Sequence, residues 1–300
     1  MCGTCGCSDG NKATIIDLQT GEHTHIDADG NEVTHTHDHD HSHNHNHSHD
    51  HDHSHGDDHT HSHDNAHTHA HAHGNGGTTT IALEEAIMQK NDGLAARNRA
   101  WFAGREILAL NLVSSPGSGK TTILERTIID RKEKSAIYVI EGDQQTSNDA
   151  QRIKDSGAPS VQINTGTGCH LEADMVMAGL KSLKPIAGSV VMVENVGNLV
   201  CPALFDLGET AKVAILSVTE GEDKPIKYPH MFQASDLMLL NKIDLLPHLD
   251  FDVEACLAYA KEVNPNIEII QLSAKTGEGM AEWYAWLDNQ SAKVAEQAFA

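Results

Sequence analysis

The stretch LVSSPGSGKTTIL, residues 112–124, joins the end of an apolar run to a segment with helical spacing. Its glycines let successive backbone N–H groups face a polyphosphate, and the N-terminus of the following helix adds a favourable dipole. A strand before such a loop and a helix after it are the context that phosphate binding requires. The stretch therefore predicts a P-loop nucleotide site made of Gly117, Ser118, Gly119, Lys120, Thr121 and Thr122.

Two side chains of this loop have specific expected roles. Lys120 would reach the β- and γ-phosphates, and the Thr121 hydroxyl would ligate Mg²⁺. Ser114 stands where the pattern G-x-x-x-x-G-K-S/T has its first glycine. The alternative is a glycine-rich turn with an incidental Lys-Thr pair, which the strand and helix on either side disfavour.

Short apolar segments that alternate with helical patterns indicate the fold class. The apolar segments are 106–113, 135–141, 160–164, 188–195, 211–218, 236–241 and 267–272. Strands that are apolar on both faces and alternate with helices predict an α/β fold with a mostly parallel sheet between helical layers. Before them, residues 81–103 predict helix, with a break or kink at Asn91-Asp92-Gly93. The expected units are a disordered arm (1–77), a helical lead-in (78–105) and a nucleotide-binding domain (106–300).

Polar residues that follow two later strands are candidates for recognition of the nucleotide base. They are Asn241, Lys242 and Asp244 after one strand, and Ser273, Ala274 and Lys275 after the next. Strand ends at one edge of a parallel sheet are where such folds bind ligands. The Asp244 carboxylate can accept hydrogen bonds from N1–H and the 2-amino group of guanine, whereas adenine offers neither donor there. The pattern predicts binding of GTP and GDP.

Acidic residues end two other strands and are candidates for magnesium binding and hydrolysis. Glu141 and Asp143 end the second strand, and Glu194 ends the fourth. Either Asp143 or Glu194 could hold the metal and position water, while the other responds to the γ-phosphate. We expect both to be needed for catalysis with Lys120 and Thr121, although Asp143 could instead cap a helix. The sequence identifies no arginine for the γ-phosphate, which favours a slow, switch-like GTPase.

Cys169, His170 and Cys201 form a third group at the same expected edge. Thiolates and imidazole suit zinc or nickel, but three ligands are one too few for a closed tetrahedral site. Water or the same residues of a second subunit would complete the site, which would couple metal, dimerisation and GTP. The alternative is two core cysteines and an unrelated histidine, because free Cys is often buried. Cys256, in a helical pattern, is expected in the core.

The first part of the chain carries two more candidate metal-binding features. MCGTCGC offers the thiolates of Cys2, Cys5 and Cys7 to one nickel or zinc ion, with the N-terminal amine as a fourth ligand if it is free. Of 23 histidines, 20 lie between His23 and His73, and from His35 to His73 they occupy almost every second position. This tract predicts a metal reservoir of high capacity and low selectivity. A solvated polar tail is the alternative.

Composition and charge limit the expected partners. The formal charge of −22 divides into −12 on residues 1–77 and −10 on the rest, so neither nucleic acid nor an anionic membrane is expected as a partner. Residues 1–77 contain no Phe, Tyr or Trp, which predicts a disordered arm. The chain lacks a signal-peptide pattern and an apolar run of membrane-spanning length, so a cytoplasmic location with reduced cysteines is expected.

Together these motifs resemble the HypB family, the nickel-incorporation GTPases of nickel–iron hydrogenase maturation. The similarity covers residues 1–7 and 82–300 and is carried by MCGTCGC, NLVSSPGSGKTT, VIEGDQQTSNDA, NTGTGCHLEADM, ENVGNLVCPALFDLGE, AILSVTEGEDKPIKYPHMF and LLNKIDLLP. It implies a P-loop GTPase fold of the signal-recognition and MinD type, called SIMIBI. It also implies a GTP-dependent homodimer that delivers nickel to the hydrogenase large subunit with partner maturation proteins. Ser114 agrees with the family.

The resemblance also implies roles for the candidate metal ligands. Cys2, Cys5 and Cys7 correspond to a tight nickel site, and Cys169, His170 and Cys201 to a nickel or zinc site that responds to the nucleotide. Long histidine tracts are associated with nickel storage in the family.

The sequence leaves two alternative functions. A urease-type nickel GTPase is similar in fold, but such proteins carry a Cys-Pro-His motif, whereas here Cys169 and His170 are adjacent and Cys201 stands apart. A nickel storage or buffer protein with a vestigial GTPase would use the histidine tract without needing the phosphate-binding loop.

Overall fold

The computed structural model describes residues 14–20, 22–26, 32–36, 76–143, 148–166 and 168–297. In chain order its elements are β1 (Thr14–Asp17), β2 (Glu22–Ile26), β3 (Glu32–Thr36), α1 (Gly76–Ala103), β4 (Leu108–Ser114), α2 (Lys120–Arg131), β5 (Ile137–Asp143), α3 (Asn148–Ser156), β6 (Ser160–Asn164), α4 (Ala173–Leu183), β7 (Val190–Glu194), α5 (Cys201–Leu204), β8 (Ala211–Ser217), α6 (Lys224–Lys227), α7 (Pro229–Gln233), β9 (Leu237–Asn241), a 3₁₀ helix (Ile243–His248), α8 (Val253–Val263), β10 (Glu268–Gln271) and α9 (Met280–Gln297).

The strands of the described chain form one sheet in the order β10-β9-β8-β4-β7-β5-β6-β1-β2-β3. The seven strands from β4 to β10 are parallel, and they coincide with the seven apolar segments of the sequence. The predicted α/β class with a mostly parallel sheet is therefore confirmed. Because β4 lies in the middle, between β7 and β8, the loop that follows it meets the ends of both neighbours.

Helices cover both faces of the parallel sheet, as the two-sided apolar pattern requires. Alternate residues of β4 point to opposite cores: Leu110 packs in the core that contains α2 and α9, and Ala109 in the core that contains α1 and α4. Cys256 of α8 is fully buried in a third cluster beside β8 and β9, so the prediction that it is a core residue holds. Among the described residues, no helix is both long and apolar enough to cross a membrane.

Within the first 77 residues, the described segments 14–20, 22–26 and 32–36 differ from the expected disordered arm. β1 pairs antiparallel with the open edge of the parallel sheet at β6, and β2 and β3 extend the pairing outward. The physical reason is that an unpaired edge strand exposes a row of backbone hydrogen-bonding groups, which even a short strand satisfies. Ile15 adds apolar contact by packing against the core under α4, and Asp17 accepts a hydrogen bond from Ser182 Oγ at 3.1 Å.

The expected break at Asn91-Asp92-Gly93 is wrong, because α1 continues through it. Asn91 is 4% exposed, and its side chain donates to Asp206 O at 2.7 Å and accepts from Ala173 N at 2.9 Å. These contacts with distant segments outweigh the weak helix propensity of the three residues. The helix begins at Gly76, two residues before the predicted lead-in.

Candidate nucleotide and metal site

A cavity of about 500 Å³ opens at the carboxyl ends of β4, β5 and β7. Backbone and side chains of the phosphate-binding loop form one wall, and strand-end residues form the other. The lining comprises residues 114–122, 141–143 and 194–197 with Asp149, Arg152 and Lys242. Every predicted loop residue, together with Asp143 and Glu194, therefore lines one space of the size that a small ligand needs.

The loop has the backbone conformation that its glycines allow. Gly119 has φ of 94° and immediately precedes α2, and a Cβ built on it would lie 2.4 Å from Asn241 Nδ2. Only glycine combines a left-handed conformation with this close approach. Lys120 Nζ lies 3.4 Å from Ser114 Oγ, so the serine that replaces the first glycine contacts the lysine of the loop.

Two buried glutamates face each other across the strands at the floor of this cavity. Glu141 of β5 is in register with Glu194 of β7, and Thr121 Oγ1 donates to Glu194 Oε1 at 2.7 Å. Burial raises the pKa of Glu194 and, with the charges of Glu194 and Asp143, raises the pKa of Glu141 to about 9. The sequence placed Glu141 among the acidic strand-end candidates but gave specific roles only to Asp143 and Glu194.

These carboxylates fit a hard divalent cation. The buried Oε2 atoms of Glu141 and Glu194 have no hydrogen-bond partner among the described residues, although buried oxygens normally have one. With the Thr121 hydroxyl beside them, they form the oxygen-rich donor set that Mg²⁺ prefers. Lys120 Nζ, 3.9 Å from Glu194 Oε1, is the nearest described cation.

An adjoining hollow of about 310 Å³ holds the residues predicted for the base. It is lined by Gly119, Thr122, Asn241, Lys242, Asp244, Leu245, Ser273, Ala274 and Lys275. Asn241 Nδ2 donates to Ser118 O at 2.9 Å, and Lys242 Nζ donates to Gly117 O at 2.6 Å. Ser273 Oγ donates to one Asp244 oxygen at 2.6 Å, which orients the carboxylate. The end of β9 is thus tied to the phosphate-binding loop, and the end of β10 is tied to the segment that follows β9.

Cys169, His170 and Cys201 come together, although 30 residues lie between the second and the third. All three are buried, and their ligand atoms lie within 4.8 Å of one another. The His170 ring stacks on Phe205 with 3.9 Å between centroids, which fixes its orientation. Burial lowers the pKa of His170 to about 4, so the imidazole is neutral near pH 7, the form that binds a metal ion. Its buried Nε2 has no hydrogen-bond partner among the described residues.

Asn195 links the metal-ligand cluster to the nucleotide cavity, a contact that the sequence did not predict. It follows Glu194 and lines the cavity, and its Oδ1 accepts from Leu171 N at 3.1 Å and Val196 N at 2.9 Å. Leu171 follows His170 directly. The only sequence signal was the position of Asn195 beside a candidate catalytic glutamate.

The remaining metal predictions lie in the N-terminal part of the chain. Cys2, Cys5, Cys7 and the tract from His37 to His73 lie outside the described residues. His35 belongs to β3, of which the structure describes only the backbone at this position.

Comparison with known proteins gives one consistent result. A model of the CobW/HypB/UreG nucleotide-binding domain matches residues 108–271. Hydrogenase maturation factor HypB of Azotobacter vinelandii is 63% identical over 70% of this chain and 69% of that protein. For HypB of Escherichia coli strain K12 the identity is 60%, over 70% of this chain and 72% of that protein. The structure of HypB from Helicobacter pylori in complex with nickel matches with a TM-score of 0.64 and 36% identity, covering 68% of this chain and 96% of that chain.

The matched residues 108–271 run from the first residue of β4 to the last residue of β10 and therefore contain the whole parallel sheet, the cavity beside the phosphate-binding loop and the metal-ligand cluster. The chain belongs to the HypB family of hydrogenase maturation factors.

Proposed function

We propose that this protein is a GTP-hydrolysing nickel metallochaperone that inserts nickel into the precursor of the hydrogenase large subunit, acting with partner maturation proteins. The carrying observation is that the nucleotide cavity and the Cys169–His170–Cys201 cluster share one edge of the sheet and are joined through Asn195. A nucleotide site alone would be compatible with any GTP-dependent switch. A nucleotide site joined to a metal site favours a protein in which the bound nucleotide controls metal release.

The nucleotide is GTP, and its hydrolysis is slow. Asp244 and Asn241 select guanine, while Lys120 and the amides of residues 117–122 hold the phosphates. Thr121, with either Glu194 or Asp143, would hold Mg²⁺, which neutralises charge on the β- and γ-phosphates when bound. Asp143 or Glu194 positions the attacking water. A slow reaction suits a switch that must persist in its GTP state until the metal has a recipient.

Nickel is the proposed cargo of the buried cluster, and zinc is the competing metal. Two sulfurs and one imidazole nitrogen leave a fourth position to water or to the same residues of a second subunit. Exposed apolar side chains beside Cys201, Val200 at 51% and Leu204 at 44%, support the second choice, since they would be covered in a dimer. We therefore propose a GTP-dependent homodimer in which nucleotide, metal and assembly are coupled.

Metal and nucleotide affinities are expected to depend on each other. In the wild-type protein, nickel affinity measured with a non-hydrolysable GTP analogue and with GDP is expected to differ by about 5- to 150-fold, the usual range of coupling between sites. The same ratio must appear in the nucleotide affinities measured with and without nickel. Equal nickel affinities in the two nucleotide states would contradict the proposed coupling.

Replacing Asn195 by Ala is expected to bring this ratio close to one. The variant loses the side-chain oxygen that ties Leu171 N to the cavity, while the metal ligands and the phosphate-binding loop stay in place. Asn98→Ala is the matched control. Asn98 is equally buried and donates to Ala173 O at 2.8 Å and to Leu207 O at 2.9 Å, but it does not line the cavity. The control should lose stability and keep the coupling, and an Asn195→Ala protein with the wild-type ratio would refute the assigned role.

The N-terminal arm is proposed to supply the metal. Cys2, Cys5 and Cys7 would form a tight nickel site, and the tract from His35 to His73 would store nickel. Deleting residues 35–73 is expected to lower the nickel bound per chain, measured by equilibrium dialysis, and to leave GTP hydrolysis unchanged. Loss of GTP hydrolysis in the deletion variant would show that the tract is more than a store.

A further inference from the structure

Arg152 is a basic side chain of the nucleotide cavity to which the sequence assigned no role. Three basic residues line this cavity among the described residues: Lys120, Arg152 and Lys242. Lys120 belongs to the phosphate-binding loop, and Lys242 donates its Nζ hydrogen bond to Gly117 O. Arg152 comes from elsewhere, from α3, which follows β5 and packs on the flank of α2.

The guanidinium is held next to the phosphate-binding loop by three partners. Its Nη2 donates to Glu125 Oε2 at 2.7 Å and to Thr122 Oγ1 at 3.2 Å, and its Nη1 donates to Asp149 Oδ1 at 3.2 Å. Thr122 is the last residue of the predicted phosphate-binding set. These contacts use three of the five N–H donors of an arginine, and the side chain is 42% exposed.

The charge of the cavity makes this cation significant. Four acidic side chains line it, Glu141, Asp143, Asp149 and Glu194, and burial raises the pKa of Glu141 and Glu194, so the cavity disfavours negative charge and an incoming polyphosphate needs cations beside it. Burial raises the pKa of Glu194, while Lys120 and Arg152 act to lower it, so the field of the guanidinium reaches the floor of the cavity. Arginine also matches phosphate geometry, because its planar fork donates two parallel hydrogen bonds.

We propose that Arg152 is a phosphate-binding residue of the nucleotide site, contributed in cis by α3. The proposal rests on the nucleotide binding proposed above. Arg152 directs the donors that its contacts with Glu125, Thr122 and Asp149 leave unused at phosphate oxygens beside Thr122. Nucleotide binding would thereby tie α3, the helix that follows Asp143 in the chain, to the phosphates.

A purely structural role makes a different prediction, and a matched pair of variants separates the two. If Arg152 only braces α3 against α2, removing either member of its ion pair with Glu125 has the same effect. If Arg152 binds phosphate, only the loss of the arginine weakens nucleotide binding. Glu125 does not line the cavity, so Glu125→Gln removes the brace and leaves the cation near the site.

The experiment measures Kd for GDP and for a non-hydrolysable GTP analogue with the full-length wild-type protein, Arg152→Gln, Arg152→Lys and Glu125→Gln. We expect Arg152→Gln to weaken binding about 10- to 100-fold, as the loss of charge-assisted hydrogen bonds predicts. Arg152→Lys should recover part of the affinity, because it keeps the charge without the fork. Glu125→Gln should bind within about threefold of wild type, while its melting temperature falls as much as that of Arg152→Gln.

Two results would overturn the proposal: equal losses of affinity in Arg152→Gln and Glu125→Gln, or wild-type affinity in Arg152→Gln. Both presuppose a wild-type protein that binds guanine nucleotides. A wild-type protein that binds neither nucleotide would instead refute the proposed function, and the role of Arg152 with it.

Discussion

Replacing Lys120 by Ala is expected to abolish GTP hydrolysis and hydrogenase maturation together. The lysine is the nearest described cation to Glu194, at 3.9 Å, and stands at the start of α2 where the phosphates would lie. Without it, polyphosphate would meet buried carboxylates with no opposing charge from the loop. Loss of one such charge-stabilising group costs roughly 100- to 1000-fold in rate, and weaker GTP binding adds to this.

The measurements are GTP turnover by the purified protein and hydrogenase activity in a strain whose own copy carries the variant. Lys132→Ala is the control, because Lys132 is an exposed lysine just beyond the same helix. The outcome also separates two functions. A storage protein with a vestigial GTPase would keep both its bound nickel and the maturation of hydrogenase after Lys120→Ala, whereas a metallochaperone driven by GTP would keep nickel and lose maturation.

The parallel sheet was predictable because its signals are local. Each strand is a short apolar run, and each candidate nucleotide residue follows such a run directly, as Lys120 follows β4 and Asp244 follows β9. In a parallel sheet all these strand ends lie at one edge, so placing residues at strand ends also placed them near one another. By the same reasoning, the sequence predicted that Cys169, His170 and Cys201 lie at one edge of the sheet.

The features that the sequence did not predict depend on contacts between distant segments. The antiparallel strand β1 forms because β6 offers a free edge, and α1 continues past Gly93 because Asn91 bonds to residues 173 and 206. Arg152 and Asn195 carry ordinary polar side chains with no motif of their own. Their proposed roles follow from the neighbours that folding gives them, Thr122 in one case and Leu171 in the other.

Replacing Asp244 by Asn is expected to change the preferred nucleotide of the protein from GTP to xanthosine triphosphate. One Asp244 oxygen is held by Ser273 Oγ at 2.6 Å, and the carboxylate lines the hollow beside Thr122 and Lys275. Guanine presents N1–H and a 2-amino group, both donors, to this carboxylate. An amide at position 244 would place its own N–H₂ against one of them. Losing charge-assisted hydrogen bonds of this kind should weaken GTP binding by about 100-fold.

The Asp244→Asn variant is expected to bind xanthosine triphosphate more tightly than the wild-type protein does. Xanthine has a carbonyl oxygen in place of the 2-amino group, so the amide of Asp244→Asn can donate to it while its oxygen accepts from N1–H. The test compares Kd for GTP and for xanthosine triphosphate in both proteins, with Asp250→Asn, an exposed carboxylate nearby in the chain, as the control. If Asp244 reads the base, the variant prefers xanthosine triphosphate and the control still prefers GTP. Equally weak binding of both nucleotides by the variant would mean that Asp244 supports the loop without contacting the base. Guanine would then have to be selected by Asn241 and the backbone of Ala274, whose N–H donates to Asn241 Oδ1 at 3.3 Å.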